Sequence, residues 1–189
     1  MKKGSTKNIF IHPAAIVKTD EIGDETRIYA FSHVLGGVRI GRNCNINDHC
    51  FIETGVSIGD NVTVKCGISI WTGVTVEDDV FLGPNMVFTN DLTPRSKQYL
   101  QEYPETLVRK GASIGANATI LAGTTIGKYA MVGAGSVVTK SVTDHALVYG
   151  VPAHNHGYVC ECGTKLGKKY SCPKCKRAYK KTRLGLKLK

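Results

Sequence analysis

Along most of this chain an aliphatic side chain returns at every sixth position. The series runs Ile16, Ile22, Ile28, Val34, Ile40, Ile46, Ile52, Ile58, Val64, Ile70, Val76, Leu82 and Phe88 without a gap. It then stops, and resumes at Val108, Ile114, Ile120, Ile126, Val132 and Val138. A second series stands four residues after the first: Thr26, Ser32, Val38, Cys44, Cys50, Val56, Val62, Ile68, Val74 and Val80, then Ala112, Ala118, Thr124, Ala130 and Ser136. It favours small or β-branched side chains. A period of six fits neither a helix nor a plain alternating strand. It fits a short strand with one large and one small inward residue, followed by a tight turn. Three such units close a triangular coil, and each coil buries its inner face by stacking on its neighbours. Glycine follows the large residue at Gly23, Gly41, Gly59, Gly83, Gly115, Gly127 and Gly133. That predicts corners with backbone angles that a Cβ would obstruct. Nineteen units predict an all-β parallel helix of about six coils, a prism about 30 Å tall at a ~4.8 Å strand spacing.

The gap in the repeat, residues 89–107, is where chemistry is expected. A long insertion in a regular prism is usually functional. This one opens on Thr89, Asn90 and Asp91, continues to Pro94, Arg95 and Ser96, and is stiffened by Pro94 and Pro104. Cys44 and Cys50 need no special role, because both fall on the small inward series and free cysteine packs as a small hydrophobe. Cys66 is off that series, and a structural or bystander role is expected for it.

Composition changes the picture at one end only. The chain of 189 residues carries a formal charge of +10, and residues 160–189, with eleven Lys and Arg against Glu161 alone, account for all of it. The same stretch holds Cys160, Cys162, Cys172 and Cys175. The chain thus divides into a neutral body, residues 1–155, and a basic cysteine module, residues 156–189. Four thiolates in two close pairs suit tetrahedral Zn²⁺, and a tail this short cannot bury enough apolar surface to fold unaided. A redox disulfide pair is the rival reading. Zinc with four thiolates changes the formal charge by −2, so the tail stays positive. No apolar run is long enough for a membrane span. The N-terminal Met-Lys-Lys-Gly-Ser-Thr-Lys-Asn lacks the features of a signal peptide, so a cytoplasmic location is expected.

Particular phrases sharpen the reading. Residues 81–96 read Phe-Leu-Gly-Pro-Asn-Met-Val-Phe-Thr-Asn-Asp-Leu-Thr-Pro-Arg-Ser. Other telling segments are Ala30-Phe31-Ser32-His33-Val34, Thr106-Leu107-Val108-Arg109-Lys110-Gly111-Ala112, Gly133-Ala134-Gly135-Ser136-Val137-Val138-Thr139-Lys140 and Gly150-Val151-Pro152-Ala153. With the six-residue repeat over roughly residues 11–155, they resemble the left-handed parallel β-helix of the hexapeptide-repeat acyltransferases. Within that superfamily they look like the N-acetyltransferases of nucleotide-linked 3-amino sugars. The UDP-2-acetamido-3-amino-2,3-dideoxy-glucuronate enzymes are preferred, with the dTDP-3-amino-3,6-dideoxyhexose enzymes as the alternative.

The resemblance implies an acetyl-CoA-dependent homotrimer with sites between subunits, acting in surface polysaccharide or glycan assembly. Related O-acetyltransferases use a His near the loop, where this chain offers Asn90 and Asp91. That favours an amine acceptor, which is already a competent nucleophile once deprotonated. The resemblance implies that Asn90 orients the sugar amine. His33 should point outward as a base, a sugar contact or an interface residue. Asp91, Arg95, Glu53 and Lys65 are candidate sugar or phosphate contacts, Arg95 through a paired hydrogen-bond fork. For acetyl-CoA the resemblance implies a prism edge towards the C-terminal coils. Ala112, Gly123, Ala130 and Gly135 would let pantetheine lie against backbone, with Lys140 and Pro152 near the nucleotide end. A corner N–H in the Gly-rich stretch is the natural oxyanion donor. Two other readings compete. One is a trimeric scaffold whose basic zinc tail binds nucleic acid, carried by the tail charge alone. The other is a carbonic anhydrase on the same prism, for which His33, His49, His145, His154 and His156 lack a familiar spacing. No nucleic-acid partner is expected.

Overall fold

A computed structural model describes residues 8–189. The leader reading falls mainly on residues 1–7, outside the described residues, as does the start of the body. Among the described residues there is no helix, and none therefore crosses a membrane. The chain winds into a parallel β-helix of three faces. The first face stacks Phe10–Ile11, Arg27–Ile28, Asn45–Ile46, Thr63–Val64, Phe81–Leu82, Ser113–Ile114, Met131–Val132 and Ala146–Tyr149. The second face runs from Ile16–Val17 and His33–Val34 up to Val137–Val138, and the third from Arg39–Ile40 up to Thr125–Ile126, closed by Val142 pairing with Ile126. Both repeat series point inward and are almost wholly buried, Cys44 and Cys50 included, except at Ile16, which pairs with the outward His33 and is exposed while Val17, in register with Val34, takes the inward place. Burial pushes the Cys50 thiol up to about 11, as expected of an inert core cysteine. Cys66 is exposed.

The prism has about eight rungs rather than six. Consecutive rungs stand eighteen residues apart in the regular part, as Arg27 faces Asn45 and Asn45 faces Thr63. At the ends the offset shrinks: Phe10 faces Arg27, and Met131 faces Leu147. A strict period of six cannot see rungs whose corners lose a residue or two.

The glycines have a different task from the one their spacing suggests. Gly23, Gly41, Gly59, Gly83, Gly115, Gly127 and Gly133 have ordinary backbone angles. They are glycine because successive rungs meet there: a Cβ on Gly41 would lie 2.5 Å from the Gly59 backbone, and one on Gly127 would lie 2.5 Å from that of Thr143 and Asp144. The left-handed corners form a third six-residue series, Glu25, Phe31, Gly37, Asn43, His49, Gly55, Asn61, Gly67, Gly73, Asp79 and Asn85, resuming at Gly111, Asn117, Gly123, Tyr129 and Gly135. Its Gly, Asn and Asp are the residues that tolerate positive φ. Along one edge the asparagines also stack, with Asn43 Nδ2 donating to Asn61 Oδ1 at 3.0 Å and Asn61 Nδ2 to Asp79 Oδ1 at 3.1 Å.

Candidate functional site

The insertion leaves the second face after Phe88 and rejoins the third face at Thr106, so it projects from the edge between them. Thr106 fills the inward place corresponding to Val74, which makes the irregular stretch 89–105. Both ends of the loop are latched to neighbouring rungs. The Thr89 hydroxyl accepts from Ala122 N at 3.0 Å, and the Thr106 hydroxyl accepts from Gly123 N at 3.1 Å. One rung below, Trp71 Nε1 donates to the Phe88 carbonyl at 2.9 Å. One rung further down, the Glu53 carboxylate accepts from Thr72 N at 2.8 Å. The tip of the loop is exposed, with Tyr99 82% accessible and Leu92 59%. Asn90 and Asp91 sit half-buried at its base, where Asp91 Oδ1 accepts from Thr93 N at 2.7 Å. Arg95 is exposed and donates to the Pro94 carbonyl at 2.9 Å. The cavity beside the returning strand, lined by Gly55, Gly73, Val74, Thr75, Glu105, Thr106 and Leu107, measures about 280 Å³. That is below the range that encloses a drug-sized ligand. Beside the loop, one chain therefore offers a shelf rather than a pocket.

The sequence-derived site residues divide by edge. Asn90, Asp91, Arg95, Glu53, Gly123 and Lys140 share the edge between the second and third faces. Lys65, Gly135 and Pro152 lie on the opposite edge of the second face, so within one chain they do not join the first group. Ala112 and Ala130 lie at the remaining edge with their side chains in the core, so they offer a ligand no side-chain surface. His33 projects from the second face three rungs below Asn90, ~14 Å along the axis at the usual strand spacing. The two cannot act on one amine. The His33 ring packs edge-on to Phe51 at 5.7 Å, and Phe51 lies 5.6 Å from Trp71. Its Nε2 is buried without a hydrogen-bond partner among the described residues. In the Gly-rich stretch the N–H groups of Gly133 and Gly135 donate within the chain, to Val148 and Ala116. Trp71 and the latching role of Thr89 and Thr106 escaped the sequence reading. Their signal was an eighteen-residue spacing, since Glu53, Trp71 and Thr89 each follow a large inward residue of the second face and therefore stack.

The four tail cysteines come together. Their sulfurs lie within 4.8 Å of one another, with Cys160 and Cys175 at 3.3 Å and Cys162 and Cys172 at 3.6 Å. Tetrahedral zinc with ~2.3 Å bonds needs sulfurs ~3.8 Å apart, so the donor set fits. Hydrogen bonding with Thr164 holds the Cys162 thiol down to about 6, whereas burial pushes Cys160 up to about 11.

Comparison with known proteins completes the description. The bacterial transferase hexapeptide (six repeats) pattern matches residues 21–54 and 105–140. The chain is 58% identical, over 86% of its length and 84% of the relative's, to a dTDP-3-amino-3,6-dideoxy-alpha-D-galactopyranose 3-N-acetyltransferase of Aneurinibacillus thermoaerophilus. The structure is similar to a mutant of AntD, an N-acyltransferase from Bacillus cereus in complex with dTDP and coenzyme A (TM-score 0.62, 22% identity, 80% of this chain and 81% of that one). It is also similar to a mutant GDP-perosamine N-acetyltransferase from Caulobacter crescentus in complex with CoA and GDP-perosamine (TM-score 0.51, 25% identity). There the match spans 80% of this chain but only 57% of that one. The fold, the repeat and the extended identity agree: the chain belongs to the hexapeptide-repeat acetyltransferases, and it is an N-acetyltransferase.

Proposed function

We propose that the enzyme transfers the acetyl group of acetyl-CoA to the 3-amino group of a dTDP-linked 3-amino-3,6-dideoxyhexose. The 58% identity with the Aneurinibacillus enzyme, across most of both chains, carries this reading. The UDP-linked 3-amino-glucuronate favoured by the sequence gains no such support, so the dTDP-linked alternative replaces it. In the reaction the amine attacks the thioester carbonyl, the C–S bond breaks, and CoA departs as a thiol with the proton the nitrogen loses. Asn90, at the loop base, accepts a hydrogen bond from the amine through its side-chain carbonyl and aims the lone pair. Positioning of this kind supplies much of the barrier lowering when the nucleophile is already competent. Asp91 and Glu53 face the sugar, and Arg95 grips the diphosphate with its paired N–H groups. Acetyl-CoA lies along the same edge towards Gly123 and Lys140.

The shelf is completed by a second copy of the chain in a trimer. Residues on the two edges of the second face, Lys65, Gly135 and Pro152 on one and Asn90 and Gly123 on the other, can then line one site from two subunits. The buried, unpartnered His33 Nε2 and the exposed Ile16, Phe31 and Val87 support burial of this face against a neighbour.

The test is thiol release from acetyl-CoA with dTDP-3-amino-3,6-dideoxygalactose and, in parallel, UDP-linked 3-amino-glucuronate. A kcat/KM at least ~10-fold higher for the dTDP sugar is expected, a difference of about 1.4 kcal/mol. Preference for the UDP sugar would restore the first reading, and no turnover of either would remove both.

A further inference from the structure

The tail is more than a pendant metal knuckle. Each of its four sulfurs faces its own potential hydrogen-bond donor. Tyr179 OH stands 3.1 Å from Cys160 Sγ, Thr164 Oγ1 3.3 Å from Cys162 Sγ, Cys175 N 3.4 Å from Cys172 Sγ, and Arg177 NH1 3.6 Å from Cys175 Sγ. Thiolates around zinc carry a formal excess of two negative charges and are stabilised by such an outer shell. Paired disulfides carry no such charge. Arg177 also bridges to Glu161 at 3.6 Å, which fixes its guanidinium beside the cluster.

The same residues tie the cluster to the prism. The small apolar core of the tail is Cys160, Leu166, Cys172, Tyr179 and Leu186, so two of its five buried residues are sulfur ligands. The Tyr179 ring lies against His145, centroids 4.8 Å apart, and His145 stacks on Tyr129 at 5.2 Å. His145 Nδ1 donates to the Val159 carbonyl at 3.0 Å, and Val159 N donates back to the His145 carbonyl at 2.8 Å. Further along, Asp144 N donates to Leu184 O at 2.8 Å and Leu186 N to Asp144 O at 3.2 Å. The last rung of the first face, Ala146–Tyr149, would end in an unpaired edge. Instead it is covered by the antiparallel strand His154–Tyr158, which runs directly into Val159 and Cys160.

We propose that the four cysteines hold one structural Zn²⁺, and that the metal-organised tail is a cap clamping the last rungs of the β-helix. Exposed strand edges template unwanted pairing and fray, and solenoids need terminal caps. Here the cap is too small to fold on its own core, so the metal supplies the fold. Tyr179 passes that order to the prism through His145.

The test uses the full-length protein. Metal analysis of the purified chain should give one zinc per chain, and cobalt exchanged into the site should show the absorption of tetrahedral thiolate coordination. Stripping the metal with a chelator should raise amide exchange at least tenfold in residues 142–149 and 154–160, while residues 27–82 keep their protection. Restoring zinc should restore it. Cys172→Ser should behave as the stripped protein. Should that variant not accumulate, Arg177→Gln, which keeps all four ligands, should lose zinc to a competing chelator more readily. Two disulfides in the isolated protein, or a metal-free tail with four thiols, would overturn the metal site. Zinc removal that leaves residues 142–149 as protected as before would overturn the clamp.

Discussion

The middle rungs of the prism and its last two rungs are held by different means. From Arg27 to Leu82 every rung repeats its neighbour at an eighteen-residue offset. Each rung therefore hands the next its backbone partners and its inward aliphatic residue, and from Asn43 through Asn61 to Asp79 a polar corner as well. At the C-terminal end the offset shrinks to sixteen between Met131 and Leu147, and the stacking stops. There the partners come from residues that repeat nothing: His145, Asp144, Tyr179 and the returning strand His154–Tyr158. A periodic interior is self-supporting, whereas its end must be closed by something foreign to the period.

The sharpest way to break this contrast is to cut into the periodic core. Ile52 is fully buried, with rungs above and below. Ile52→Ala should cost about 2–5 kcal/mol, read by denaturant unfolding. Glu102→Ala, in the exposed insertion, should change stability by less than about 0.5 kcal/mol. Equal effects would mean that the loop is as structural as the core.

A second pair separates the two kinds of corner glycine. A Cβ at Gly41 would collide with the Gly59 backbone and the Asp60 carboxylate, whereas one at Gly55 meets nothing within 4 Å and only the strain of φ +83°. Gly55→Ala should cost ~1 kcal/mol, in keeping with the αL penalty for a non-glycine residue. Gly41→Ala must push two rungs apart and should cost more, in the range of overpacked cores, about 1–3 kcal/mol. The reverse order in thermal melts would return the first glycine series to the backbone-angle role its spacing suggested.

The contrast also explains what could be read in advance. The large and small inward series were legible because one face of every rung is buried, and burial imposes side-chain size at a fixed period. The left-handed corner series was harder to see, since it accepts Gly, Asn, Asp, Glu, His, Phe or Tyr and so has no single chemical signature. The terminal rungs were lost because their corners shorten. The loop announced itself as a gap, but the stacking of Glu53, Trp71 and Thr89 appears only when the chain is folded by eighteens. The same arithmetic puts Lys65 on another edge. The cysteines could be paired by proximity in sequence, yet the donor around each sulfur, and the link from Tyr179 to His145, exist only in three dimensions.

At the loop base the expected effect is on rate rather than on stability. Asn90 is half-buried, away from the inward series. Asn90→Ala should lower kcat/KM roughly tenfold or more by losing the hold on the amine, with the melting temperature within a degree or two of the parent. A drop in melting temperature that accounts for the lost rate would make Asn90 a structural part of the loop base.

The smallest expected effect concerns the joint between the periodic body and its cap. Burial lowers the pKa of His145 below its ordinary 6.5, outweighing the hydrogen bond to the Val159 carbonyl and the nearby Glu161 and Asp144, which act in the opposite direction. In the folded chain His145 is therefore neutral where the unfolded chain would begin to take up a proton. A neutral ring with Nδ1 donating to Val159 also suits a position between the Tyr129 and Tyr179 rings. Where the unfolded state binds more protons, stability rises with pH. The contribution of His145 is complete above about pH 6.5, the unfolded value, and falls away as the pH drops through the lowered folded value. His145→Gln cannot titrate, so below about pH 6.5 the gap between parent and variant should narrow on acidification. The measurement is the difference in unfolding free energy between the two zinc-loaded proteins from pH 7.5 to pH 5.5. Because the groups that tie the cap to the body meet at this ring, the change should appear in amide exchange at residues 142–149 and leave residues 27–82 untouched. A gap that widens on acidification would mean that the charged ring is the form the cap prefers, with Asp144 and Glu161 outweighing burial.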